Sequence, residues 1–384
     1  MNSRERVLST LNHQEPDRVP LDLGSVQVTG IHVAAYRSLR AALGLPPVEP
    51  ELCDAIQQLA LPDDDVIHRL GVDVRGLFPL NSHNWRVVEK PAGDYWAYHD
   101  EWGITHHRPR PDGLYYSIVR TPLDGSRVTA ADIERHAWPD MADPQRIAGL
   151  REQAEAYQAA GYAVVIKDPF AGIFEMAQRI VGMTELLMMM ATDPALAGVL
   201  FDKLLALKLA FWEMALPRLG DVVDVVTYAD DYGTQQSQLI SPRMFREQLK
   251  PRIAILFARI KELAPHTRQF FHSCGNVRPL IPDYIEIGTD ILNPIHIRAA
   301  GMEPVALKRD FGDALVFWGG GVDTQRVLPF GTPQELKVDV RRNIVSLAPG
   351  GGYVFNTVHN IQADVPPENV IAMWEALQEY GVYA

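Results

Sequence analysis

The sequence predicts an α/β protein folded as a (β/α)8 TIM barrel, with extra N-terminal helices and an inserted antiparallel β-meander. Three observations carry that expectation. Short β-rich runs alternate with longer helical patterns, as βα units around a parallel sheet require. Eight such runs can be counted, which favours a closed barrel over a doubly wound sheet. Polar and ligand-type residues gather at the C-terminal ends of these runs, where barrels carry their chemistry.

In chain order the runs are Arg18–Leu23, Val72–Leu77, Tyr162–Lys167, Val222–Tyr228, Arg268–His272, Asp290–Pro294, Leu315–Trp318 and Tyr353–Val358. Helical spacing fills Pro194–Leu219, Ser241–Leu263 and Thr332–Leu347. Ser241-Pro242 forms an N-cap and N1 pair, and Thr332-Pro333 with Glu335 marks another helix start. Residues 29–70 read as extra helices over one barrel mouth, with Pro62-Asp63-Asp64-Asp65 opening one of them. Residues about 83–127 read differently. Turns at Pro91–Asp94, Arg110–Gly113 and Leu123–Gly125, with Tyr95, Trp96, Tyr98, Trp102, Tyr115 and Tyr116 between them, describe a β-meander. Residues 1–384 thus read as one barrel domain carrying that insertion.

Composition removes several function classes. With 384 residues and 47% hydrophobic content the chain has ample core, which excludes disorder as its main state. Its two cysteines, Cys53 and Cys274, cannot staple a chain of this size. The polar opening carries no apolar run of the signal-peptide kind, and no stretch of 18 uninterrupted apolar residues exists. A cytoplasmic protein without a membrane span is therefore expected. A net charge of −12 with no basic run speaks against a nucleic-acid partner.

The strand-end rule yields a short set of site residues. The fourth run leads into Asp230, Asp231 and Gln235, and the fifth ends in His272-Ser273-Cys274-Gly275. The sixth contributes Asn293 and His296, the seventh Trp318 and Asp323, the eighth Asn356 and His359. On an extended segment His272 and Cys274 point to the same side, and imidazole plus thiolate suits zinc. A catalytic zinc site needs about three protein ligands, and His359 is the best-placed third. A buried thiol beside a satisfied core histidine is the other reading of the pair. Asp230 and Asp231 are carboxylates for substrate binding or acid–base work, or else helix caps; Asp231 is the catalytic candidate. Asp230, Gln235, Asn293, Trp318, Asp323 and Asn356 are expected to contact substrate. Asp168, before Pro169, fits a turn, and the Met-rich stretch Phe174–Met190 fits core. The glycine runs at 319–321 and 350–352 lack a nucleotide-binding frame, and Cys53 reads as a packing thiol.

The segments SRERVLSTLNHQEPDRVPLDLG, LGVDVRGL, FHSCGNVRPLIPDYIEIGTDILNP, WGGGVDTQRVLPFGTPQEL and APGGGYVF resemble, in this order, the uroporphyrinogen decarboxylase superfamily. The resemblance runs over nearly the whole chain and implies a single (β/α)8 barrel. True uroporphyrinogen decarboxylases carry an arginine-rich N-terminal motif of the type RPVWxMRQAGRY; this chain reads RVPLDLGSVQVTGIH there. The cobamide-dependent methyltransferase branch is closer, because its zinc-binding His-x-Cys matches His272 and Cys274. In that branch a later cysteine supplies the third ligand; here the stretch FNTVHNIQADVPPEN offers only His359. One thiolate and two imidazoles leave Zn²⁺ with net +1, a stronger Lewis acid than a neutral two-thiolate site.

The resemblance implies a zinc-dependent methyltransferase. It would move a methyl group between a small ether, amine or thiol and a corrinoid (cobalamin) held by a partner protein. A decarboxylase-type carboxy-lyase acting on a tetrapyrrole or other acid is the alternative, with cations such as Arg37, Arg75 or Arg278 holding carboxylates. A non-catalytic ligand-binding barrel is the third.

Overall fold

The apolar runs pair in the expected order. In a computed structural model describing residues 1–383, seven parallel strands form one curled sheet. They are β1 (Val74–Leu77), β2 (Ala163–Ile166), β3 (Val225–Ala229), β4 (Arg268–His272), β5 (Ile291–Asn293), β6 (Val316–Trp318) and β7 (Tyr353–Val354). Neighbours in sequence are neighbours in space, with Ala229 level with His272 and His272 level with Asn293. These strands are short, rich in β-branched and aromatic residues, and covered on both faces.

Alternation along the strands separates two cores. Val74, Val165, Val225, Phe270, Ile291, Val316, Trp318 and Val354 pack together with Val7 and Leu11 of helix α1 (Ser3–Leu11), and these fill the barrel. The larger core lies between the strands and the surrounding helices. A capping box between Asn2 and Glu5 starts α1.

The run Arg18–Leu23 does not become a regular strand. Leu21 makes an isolated parallel bridge with Phe355, and the Asp22 N–H bonds the Phe355 carbonyl at 2.9 Å. On the other side the Asp73 N–H reaches the Leu21 carbonyl at 2.8 Å, so this segment fills the gap between β7 and β1. Pro20 has no N–H to offer, and Gly24 at φ +82° turns the chain away, so pairing stops after a few bonds.

Residues 29–70 are helical only in part. Helices Val33–Ala42 and Asp64–Leu70 flank a small antiparallel sheet of Ile31–His32, Leu52–Asp54 and Leu59–Ala60. Pro46, Pro47 and Pro50 prevent a helix from continuing between them. The meander forms as four antiparallel strands in sequence order: Lys90–Ala92, Tyr95–His99, Thr105–Pro109 and Ser117–Arg120. The expected helix from Ser241 starts with its serine cap, but a π-helical turn over Phe245–Leu249 interrupts it. Pro251, which cannot donate to the helical ladder, lies just beyond that turn. Among the described residues no helix is long and apolar enough to cross a membrane.

Candidate functional site

Strand β4 builds the site by its period of two. Phe270 points into the barrel core, His272 stands above it, and Cys274 follows on the same side. Gly275 then turns the chain at φ +85°; a Cβ there would meet the backbone carbon of Gly233 at 2.4 Å. His359 arrives from the loop after β7. The ligand atoms of His272, Cys274 and His359 lie within 4.8 Å of one another, with His272 Nε2 3.6 Å from Cys274 Sγ.

Asn293 determines which nitrogen His272 presents. Its Nδ2 donates to the Trp318 carbonyl at 2.8 Å, so its Oδ1 faces His272 Nδ1 at 2.5 Å. That nitrogen must carry the proton, which leaves the Nε2 lone pair directed at Cys274 and His359. Burial and the neighbouring His272 ring hold His359 well below the ordinary imidazole range, keeping it neutral at neutral pH. Burial, reinforced by Asp231 and Glu175, pushes the Cys274 thiol up, so it gives up its proton only to a metal or a strong base. Two imidazoles and a thiol, converging with no competing cation among them, fit a borderline-soft ion such as zinc.

Asp231 belongs to the same site. Its Oδ1 accepts the Cys274 N–H at 2.7 Å and lies 3.6 Å from His272 Nε2, while its side chain remains 42% exposed. Asp231, His272 and His359 line a cavity of about 990 Å³. Tyr98 and Trp102 of the meander region and Cys53 and Asp54 of the small sheet line it as well. The insertion is therefore part of the cavity wall. It is pinned there by the Tyr116 N–H on the Ile56 carbonyl at 2.9 Å and by His32 Nε2 against the Leu114 carbonyl at 3.3 Å.

The other expected substrate contacts are placed elsewhere. Asp230 is fully buried, and its carboxylate accepts from the Tyr228 and Tyr232 hydroxyls and from the Phe174 and Glu175 N–H groups. It thus caps helix α2 (Ile173–Val181) rather than facing the cavity. Trp318 is sealed in the barrel core among Phe270, Val316 and Val354, its indole N–H on Asp22 at 2.9 Å. Asp323 is buried in a turn, accepting from the Gln325 and Arg326 N–H groups. Asn356 is buried with Nδ2 near the carbonyls of Asp22 and Thr29, and its Oδ1 has no partner. Gln235 is exposed and contacts His296, whose Nδ1 accepts the Gly275 N–H at 3.0 Å. Asn293 acts through His272. The cavity also holds Lys167, Phe170, Glu175 and Arg179, which the sequence reading passed over. Lys167 closes the third predicted run, so the strand-end rule held the signal that would have found it.

Fold and site together give a barrel in which His272, Cys274 and His359 could hold a metal ion, with both histidines lining a large cavity. Residues 122–380, more than half the chain, match the family model "Uroporphyrinogen decarboxylase (URO-D)", and the chain belongs to that family. Among solved structures it is similar to a methyltransferase from Methanosarcina mazei, with TM-score 0.62 and 19% identity over 99% of each chain. Much weaker likenesses, both at TM-score 0.35, are to an endo-1,4-beta-xylanase from Penicillium canescens and xylanase B from Clostridium stercorarium. The first is 9% identical over 67% of this chain and 92% of the other; the second is 12% identical over 59% and 75%. No curated protein matches the chain in sequence.

Proposed function

We propose that the protein is a zinc-dependent methyltransferase that moves a methyl group between a small substrate and a corrinoid carried by a partner protein. The observation that carries this reading is the convergence of His272, Cys274 and His359 beside the cavity that the two histidines line. The M. mazei neighbour, alike in fold, is itself described as a methyltransferase. When bound, zinc supplies a Lewis acid that polarises the heteroatom bearing or receiving the methyl group. Asn293 fixes the His272 tautomer, and Asp231 holds the turn that presents Cys274. Asp231, partly exposed and 3.6 Å from His272 Nε2, takes up or returns a proton at that heteroatom in this reading. The cavity gives the substrate its place, and its open mouth leaves the approach for a corrinoid-bearing partner.

The carboxy-lyase reading has less support. Arg37, Arg75 and Arg278 pair with Glu49, Asp64 and Asp310, and none of the three lines the cavity. A direct test supplies reduced cobalamin and a panel of methyl ethers, methylamines and methyl thioethers, and follows methylcobalamin by its absorbance. Transfer should vanish after complete metal removal and return with zinc. Undiminished transfer without metal, or porphyrinogen decarboxylation instead, would remove the proposal.

A further inference from the structure

Two side-chain cations besides the imidazoles line the cavity, Lys167 at the end of β2 and Arg179 on α2. Arg179 pairs with Glu175. Among the described residues Lys167 has no ion-pair partner; its one hydrogen bond goes to the carbonyl of Asp168 at 2.9 Å. Asp54 is the carboxylate that acts on it most strongly, yet that group stays beyond ion-pair distance and accepts the Gln57 N–H at 2.8 Å. Asp168, the next carboxylate to act on it, is paired with Lys208 at 2.6 Å, and three acids of the cavity wall are engaged: Asp100 with His106, Glu101 with Arg146, and Asp231 with the Cys274 N–H. An ammonium kept in a wall without a counter-ion is unfavourable, and a ligand that brings one gains the difference.

The surroundings describe the rest of that ligand. Trp102 and Phe170 pack with ring centroids 4.7 Å apart, and both line the cavity with Tyr98. A volume of about 990 Å³ lies at the upper end of pockets that take drug-sized molecules, far more than a one-carbon substrate fills. An ether oxygen offers a lone pair to a Lewis acid, which a quaternary ammonium does not. We infer that Lys167 anchors an anion subsite, and that the methyl donor is an aromatic methyl ether bearing a carboxylate, its ring against Trp102 and Phe170. This rests on the methyl-transfer reading. The O–CH₃ bond breaks with its electron pair left on oxygen, the carbon bonds to a Co(I) corrinoid using the metal's pair, and the aryl oxide takes a proton from water by way of Asp231.

Binding separates this inference from the reaction. The purified protein is titrated with 4-methoxybenzoate and with neutral 4-methoxybenzamide, using calorimetry and the fluorescence of its tryptophans. The acid should bind at least about tenfold more tightly than the amide. Lys167→Met should erase that preference while leaving amide affinity within about twofold, and Lys167→Arg should keep part of it. Retention of amide binding also shows that the variant is folded. Equal affinities in the parent, no binding of either probe, or a preference that survives Lys167→Met would overturn the inference. If the preference holds but no methyl transfer is found, the anion subsite stands and the methyl-transfer reading falls. If transfer occurs from other donors with no preference for the acid, only this inference falls.

Discussion

Asn293 decides what His272 can do. Without its carbonyl the imidazole is free to switch tautomer or turn, and Nε2 no longer stays aimed at the other ligands. Asn293→Ala should therefore lower zinc affinity by about 10–100-fold, measured by competition with a chromophoric chelator. An unchanged affinity would show that the orientation comes from elsewhere. The thiol sets the pH dependence. Because Cys274 lies above its ordinary range, zinc binding near neutral pH must displace its proton, so affinity should rise about tenfold per pH unit between pH 7 and 8.5. His359, already neutral there, adds no slope. Titrations at three pH values check the sign; an affinity that falls as pH rises would contradict it. At this scale the sequence was most legible where strand period alone decides direction, as for His272 and Cys274. Asp230 and Trp318 were misplaced because their partners, the start of α2 and Asp22, are remote in sequence.

The α2 segment shows how an element is held to the site. Its first N–H groups are bound by Asp230 from β3's end, and the chain before it passes so close that a Cβ on Gly172 would sit 2.1 Å from the Asp230 carboxyl carbon. On the far side Lys208, buried in helix α3 (Pro194–Leu219), donates to Asp168 at 2.6 Å and to the Phe170 carbonyl at 3.1 Å. The loop between, Pro169 to Ala171, forms cavity wall. Gly172→Ala should consequently cost about 1–3 kcal/mol of stability in urea unfolding, by forcing α2 off its cap. A stability within error of the parent would mean that the loop yields freely. Helix starts with local caps, Ser241 and Thr332, were readable because their signals sit within four residues. The cap on α2 comes from another strand, and the Met-rich stretch hid the break between two helices.

For the whole molecule, the barrel closes through very little regular pairing. Asp73 compensates: buried at β1's start, it accepts the Leu21 N–H at 2.8 Å and binds both Arg6 and Arg18 at 2.7 Å. Removing it takes from Arg18 its only carboxylate among the described residues, leaves Arg6 with Asp17 alone and frees the closing segment, so Asp73→Ala should cost about 3–5 kcal/mol in the same urea assay. A loss below about 1 kcal/mol would show that α1 closes the barrel without it. The eight-run pattern predicted the barrel correctly because apolar periodicity survives even where a strand frays at Pro20. The role of the 83–127 insertion was not legible, since nothing local says which surface a meander covers; the fold places Tyr98 and Trp102 in the cavity wall.

Whether the cavity ends in a metal centre is answered most directly by zinc content per chain. The parent is purified without added metal, then dialysed against limited zinc, beside Cys274→Ala and His359→Ala. About one zinc per chain in the parent, lost in both variants, is the expected result. A parent that takes up no zinc even on add-back, or variants that retain it fully, would contradict a His272–Cys274–His359 centre.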